Sequence, residues 1–211
     1  MYPITYEADF NPHPSRGTTF FRYLLAIPWM IVAVFWGLLY YVTYLLALIA
    51  IVILGRYPEW LFNFNSGVIR FGARFSAWIG LQTDEWPPFG LSDDPSYPIR
   101  VNIAPAAERQ SRLKALFRMV LVLPMLIVSY GISFISLGIS LVAWLTIVFR
   151  GYLPEAVNSA MTYVNGFNLR LAGYTAMLTD DYPPVGLEAA RSDETIPPPD
   201  TQATPPTAPT A

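Results

Sequence analysis

Three hydrophobic patterns follow one another along the chain, and then all three recur. The first is an alternation. Ile4, Tyr6 and Ala8 interleave with Thr5, Glu7 and Asp9, which predicts a short strand ended by Pro12 and Pro14. Ile99, Val101 and Ile103 interleave with Arg100, Asn102 and Ala104, and Pro105 ends that segment. The two strands are expected to pair with each other or with the Thr-Asp-x-x-Pro-Pro segments described below. The alternative is an ordered extended linker.

The second pattern is a long uncharged run. No residue between Arg22 and Arg56 is charged, nor is any from Met119 to Phe149. A straight helix over the first gap would be roughly 50 Å long, against about 30 Å of bilayer hydrocarbon. This predicts two short helices joined near Trp36-Gly37, and again near Gly131 to Ser133. Such a helical hairpin either crosses the membrane or re-enters it. Arg16, Arg22 and Arg56 flank the first run, and Arg109, Arg112, Lys114, Arg118 and Arg150 flank the second. Basic flanks at both ends favour the cytoplasm, which a hairpin satisfies and a single crossing does not. Met1, the segment from Gly90 to Arg100, and Ala211 are therefore expected on the cytoplasmic side. Pro28 and Pro124 recur in the two runs and read as packed kinks.

The third pattern has helical period. Leu61, Phe64, Val68, Phe71, Phe75 and Trp78 form an apolar stripe, with Asn63, Gly67, Arg70 and Arg74 opposite. Val157, Met161, Val164, Phe167, Leu171, Tyr174 and Leu178 keep the stripe in the second half. An interfacial helix would hold the aromatics in the acyl boundary and the arginines at phosphate level. The alternative is a helix packed within the bundle.

These recurrences are one duplication. Gly55, Pro58, Glu59, Phe71, Arg74, Thr83, Asp84, Pro87, Pro88 and Gly90 return 96 positions later as Gly151, Pro154, Glu155, Phe167, Arg170, Thr179, Asp180, Pro183, Pro184 and Gly186. Arg22 and Pro28 return as Arg118 and Pro124. The reading is two tandem membrane repeats, 1–91 and 92–187, followed by a Pro/Thr/Ala-rich tail at 188–211 that is expected to be disordered. The fold class is mainly α and integral to the membrane. Each repeat is a short strand, a transmembrane or re-entrant helical hairpin, and an amphipathic interfacial helix.

Composition sharpens this. The chain is 54% hydrophobic and 13% charged, about half the charge of an ordinary soluble domain. The net charge of −2 gives no basic field for nucleic acid. There is no cysteine, so thiolate chemistry, disulfides and Cys metal sites are excluded. Residues 1–10 lack a basic n-region, so the first apolar run is expected to act as an uncleaved insertion signal.

Candidate chemistry is sparse. The sole histidine, His13, lies in a Pro-rich loop. Asp84, Glu85, Asp180 and Asp181 could hold a hard cation, but capping the turn or pairing with Arg74 and Arg170 accounts for them more simply. Glu59 and Glu155 follow Pro58 and Pro154, where a carboxylate complements a helix N-terminus. Neither a serine-nucleophile elbow nor a phosphate loop is present. No acid or base sits at mid-depth in either apolar run, which disfavours coupled transport.

The stretch Tyr57-Pro58-Glu59-Trp60-Leu61-Phe62-Asn63-Phe64 through Gly67 and Arg70, then Thr83-Asp84-Glu85-Trp86-Pro87-Pro88-Phe89, resembles a bacterial integral-membrane family known only as a domain of unknown function. The resemblance covers Tyr2 to Leu187. Trp86 stands where the family pattern has Tyr. The second copy reads Tyr152-Leu153-Pro154-Glu155 and lacks Leu-Phe-x-Phe. Its Gly166 and Arg170 are one residue further apart than Gly67 and Arg70, so Arg170 answers to Arg70 or to Arg74. The resemblance implies a bacterial integral-membrane protein and assigns no reaction; with the two apolar blocks, the expected place is the bacterial inner membrane, multi-pass.

The function expected is non-enzymatic: binding of anionic lipid, or service as an accessory subunit to another membrane protein or a second copy. Arg70, Arg74 and Arg170 are the candidate contacts for an anionic headgroup or acidic partner. No catalytic residue, metal or cofactor is assigned. The competing readings are a small-solute or lipid transporter or channel, and a membrane enzyme using Asp84 and Asp180.

Overall fold

The structure is a computed structural model that describes residues 2–185. The tail at 188–211 and the two chain ends lie outside the described residues. Strand β1 (Ile4–Ala8) is followed by helices α1 (Arg16–Leu25), α2 (Ile27–Leu54) and α3 (Glu59–Ile79). Strand β2 (Ile99–Ile103), α4 (Arg112–Arg150) and α5 (Glu155–Thr175) repeat that order.

The hairpin expectation is corrected. Each apolar run forms one continuous helix past its glycine, 28 residues in α2 and 39 in α4. Gly37 and Gly131 lie inside these helices in open space. A helical glycine costs about 1 kcal/mol relative to alanine. A turn there would leave backbone N–H and C=O groups unpaired among apolar side chains, which costs several kcal/mol. The one interruption falls at Ala26, which ends α1 and caps α2. Pro28 two residues on supplies no N–H. In the second copy Pro124 stays inside α4.

Both long helices end on a glycine in left-handed conformation, Gly55 (φ 72°) and Gly151 (φ 70°). Such a cap suits glycine because it lacks Cβ. The chain then reverses. Thr43 Oγ1 bonds Asn65 Oδ1, and Trp29 stacks on Trp78, so α3 runs antiparallel along α2. Ser129 with Asn168 and Arg118 with Tyr174 place α5 along α4 in the same way.

The two copies interleave about a pseudo-two-fold axis. β1 pairs antiparallel with β2, centred on Tyr6 opposite Val101. Tyr57 Oη reaches Ala176 O, and Gln82 Nε2 reaches Thr162 Oγ1, so α3 and α5 are antiparallel. Gln110 N donates to Gly55 O, while Leu153 N donates to Pro12 O. The start of α4 therefore lies at the end of α2, and the end of α4 at the approach to α1. Leu81 and Met177, both with positive φ, are equivalent by the duplication. Leu81 is buried with Ile147, Leu153 and Met161 of the second copy, and Met177 joins the cluster holding Tyr57 and Leu61 of the first. Left-handed non-glycine residues carry strain of order 1–2 kcal/mol, which burial of these side chains offsets.

Three layers result. The ribbon of β1 and β2, with the connection leading into β2, covers one side of α3 and α5: Arg70 Nε donates to Val101 O, Leu91 of the connection packs on Gly67, and Ile4 packs on Gly173. The opposite sides of α3 and α5 carry Asn65, Phe64 and Trp78 against α2, and Phe167, Leu171 and Tyr174 against α4. The outer layer of α1, α2 and α4 bears most of the exposed large hydrophobic side chains.

The arginine side of α3 is thus turned inward. Gly67 and Arg74 are buried and Arg70 is half-buried, while Asn63 stays exposed, and α3 is packed on both sides rather than lying alone. Asn65 meets Thr43 and Tyr57, and Arg74 meets the connection to β2 through its two Nη atoms.

Candidate functional site

The turns after α3 and α5 gather buried polar groups, among them Thr83 with Arg22 and Thr179 with Arg118. Pro58 and Pro154 cap the starts of α3 and α5, and Glu59 and Glu155 lie in their first turns. At the other end, Thr83 Oγ1 accepts from Glu85 N and Thr179 Oγ1 from Asp181 N, closing two identical turns. Pro87 and Pro183 are buried beyond them, with Pro88 and Pro184 half-buried.

Asp84 and Asp180 do not pair with Arg74 and Arg170. Arg22 Nη2 lies 2.5 Å from Asp84 Oδ1, and Arg118 Nη2 lies 2.6 Å from Asp180 Oδ1. The second carboxylate oxygen of each accepts the backbone N–H at a helix start, Ser15 for Asp84 and Ser111 for Asp180. Arg22 Nη1 donates to Trp78 O and Thr83 O, and Arg118 Nη1 to Tyr174 O and Thr179 O. Each guanidinium lies over an aromatic ring, Trp78 or Tyr174. Burial pulls Arg22 below the ordinary arginine value, and Asp84 opposes that shift. One buried cation in each copy thus ties α1 or the start of α4 to the turn that ends α3 or α5. The sequence displayed Arg22 and Arg118 as recurring residues, but recurrence does not reveal which carboxylate a cation meets.

Arg74 has its own partners. Its guanidinium donates to Ser92 O, Asp93 Oδ1 and Asp94 O and lies over Tyr97. It is 0% exposed, so in this conformation it cannot grip a headgroup at the surface. Arg170 is also buried, within electrostatic reach of Tyr2, the counterpart of Tyr97. This matches Arg170 to Arg74, and leaves Gly166 opposite Arg70 in the duplication. Arg70 is half-buried and holds the ribbon through Val101.

The exposed cations are elsewhere. Arg16, Arg56, Arg109, Arg112, Lys114 and Arg150 lie at the two ends of the long helices. Arg112 sits against Gly55 and Arg16 against Gly151, each beside the C-terminus of the other copy's long helix, where a cation complements the dipole.

Between α3 and α5 lies a groove of about 330 Å³, lined by Tyr40, Val68, Gly72, Ala73, Asn165 and Asn168 among others. No ribbon residue and no charged residue lines it. It suits an apolar chain with a hydrogen-bonding group, and not an ion. Among the described residues no group of three or more His, Asp or Glu side chains could hold a metal ion.

Fold and site define a mainly helical protein built of two copies of one unit, with two helices long and apolar enough to cross a membrane. The family described as "Domain of unknown function (DUF4389)" matches residues 16–90 and 112–185, one match per copy, and the chain belongs to it. No curated protein and no solved structure matches the chain.

Proposed function

We propose that the chain is a membrane-seated, non-enzymatic protein that binds anionic lipid. One observation carries the reading. Ile31, Leu38, Leu45 and Ile49 of α2 are exposed, and so are their duplicates Ile127, Phe134, Leu141 and Leu145 of α4. All eight are large and apolar. By the 100° helical step they lie on the side of each helix opposite the buried residues Ala47 and Ile51 or Ala143 and Ile147. An exposed apolar face of this extent marks a membrane or protein contact. Cations at both ends of the helices favour anionic headgroups over neutral ones. Those cations replace Arg74 and Arg170 as the headgroup contacts, and Arg70 remains a minor candidate beside them. The groove between α3 and α5 supplies a place for one acyl chain.

The enzyme reading is the weaker one, because Asp84 and Asp180 are each occupied by an arginine and a backbone N–H. The test is flotation of purified protein with vesicles of phosphatidylglycerol or of phosphatidylcholine. Stronger recovery with the anionic vesicles, weakened by salt and by Arg56→Gln with Arg150→Gln, supports the proposal. Equal recovery in both, or none in either, contradicts it.

A further inference from the structure

We infer that the molecule seats in one leaflet of an anionic bilayer, with its long helices lying along the membrane plane and the β-ribbon facing water. The inference rests on the membrane reading above. Three observations lead to it.

The first is symmetry. The pseudo-two-fold axis passes through the Tyr6–Val101 pair at the centre of the ribbon. It relates α3 to α5, which are antiparallel, and the α1–α2 run to α4, which are also antiparallel. Helices related in this way run across the axis. If α2 and α4 crossed the bilayer, the axis would lie in the membrane plane and the ribbon at mid-depth.

The second is the ribbon itself. It has two strands, so each has an edge with no strand beside it, and on β2 Arg70 Nε meets only Val101 O. Its outer side bears Arg100, which bonds Glu7 and Asp9, and exposed Asn102. An open edge and these ions do not occur in hydrocarbon. With the axis along the membrane normal, the ribbon is in water and every cation at the helix ends is at headgroup level.

The third is length. The unbroken α4 is about 58 Å long, nearly twice the hydrocarbon thickness. Lying flat, it needs no steep tilt to hide the excess. The exposed stripe then faces the acyl chains along its whole length, and the ends reach the phosphates.

Spin labels on single cysteines at Ile31, Leu38, Leu45 and Ile49 test this directly, since the chain has no cysteine to remove. These sites cover about 27 Å of helix. In phosphatidylglycerol-containing vesicles, depth measured by oxygen and nickel accessibility is expected to be uniform and shallow, on the order of 5–10 Å below the headgroups. A profile deepest near Leu38 and Leu45 and shallow at both ends overturns the in-plane seat while leaving lipid binding intact. Protein that does not float with vesicles overturns both. Matching labels at Ile127, Phe134 and Leu141 repeat the test on α4, so one poorly folded variant does not decide it.

Discussion

Arg22 and Asp84 are 62 residues apart in the chain and 2.5 Å apart in the fold, and Arg118 and Asp180 repeat the pair at the same separation. Duplication preserved both members of an ion pair that closes each unit. Each arginine is almost fully buried, so neither can be released to solvent if its carboxylate is lost.

Asp84→Asn and Asp180→Asn should therefore each destabilise the protein by about 2–3 kcal/mol. The exchange Arg22→Asp with Asp84→Arg should not restore stability, because an aspartate at 22 would face Trp78 O and Thr83 O, which need a donor. Thermal unfolding in mild detergent measures both. Full rescue by the exchange would refute the donor requirement.

Arg74 should be sensitive and Asp93 tolerant. Arg74→Ala removes three donors from the connection between α3 and β2 and is expected to cost about 2–4 kcal/mol. Asp93 is more than half exposed, so Asp93→Asn should cost less than about 1 kcal/mol. The charge exchange Arg74→Asp with Asp84→Arg should give no coupling in a double-mutant cycle.

Gly67 is required by close approach. A Cβ there would lie 2.8 Å from both Leu91 Cβ and Leu91 O, and the latter is backbone. Gly67→Ala is expected to destabilise by about 1–3 kcal/mol despite the better helix propensity of alanine. Limited proteolysis between Pro88 and Tyr97 should accelerate in this variant.

Gly72 is the contrasting case. Nothing stands within 4 Å of a Cβ there, and Gly72 lines the groove. Gly72→Leu should keep or slightly raise stability, by up to about 1 kcal/mol, and fill the groove. Native mass spectrometry should then show less co-purified lipid than in the parent chain. Unchanged lipid occupancy would show that the groove is not a lipid site.

Much of this architecture was legible in the residues. The alternations at Ile4–Ala8 and Ile99–Ile103 are strands, and they pair with each other. The stripe over Leu61–Trp78 lies in a helix, that over Val157–Leu178 does so as far as Tyr174, with Leu178 beyond the end of α5, and the duplication is structural. Besides the partners of Asp84 and Asp180, two features were not legible. Gly37 and Gly131 read as turns, because a hydrophobic run longer than the bilayer is thick invites a break. The cost of unpaired backbone groups overrides a single glycine, and the sequence does not display that balance. The inward turn of Arg74 was hidden for a different reason. Periodicity locates two faces of a helix but not which is covered: α3 and α5 are covered on one side by the long helix that precedes each and on the other by the ribbon and the connection to it. The residues that cover Arg74, Ser92 to Tyr97, have no hydrophobic pattern to announce them.

The most direct test of the whole account is the sidedness of three single cysteines, at Arg56, Tyr152 and Asn102, all exposed. Arg56 and Tyr152 mark opposite ends of the antiparallel long helices, and Asn102 marks the ribbon. An impermeant maleimide applied to sealed membrane vesicles of each orientation reads which side each one faces. The in-plane account predicts that all three label from the same side. Labelling of Arg56→Cys and Tyr152→Cys from opposite sides would contradict it.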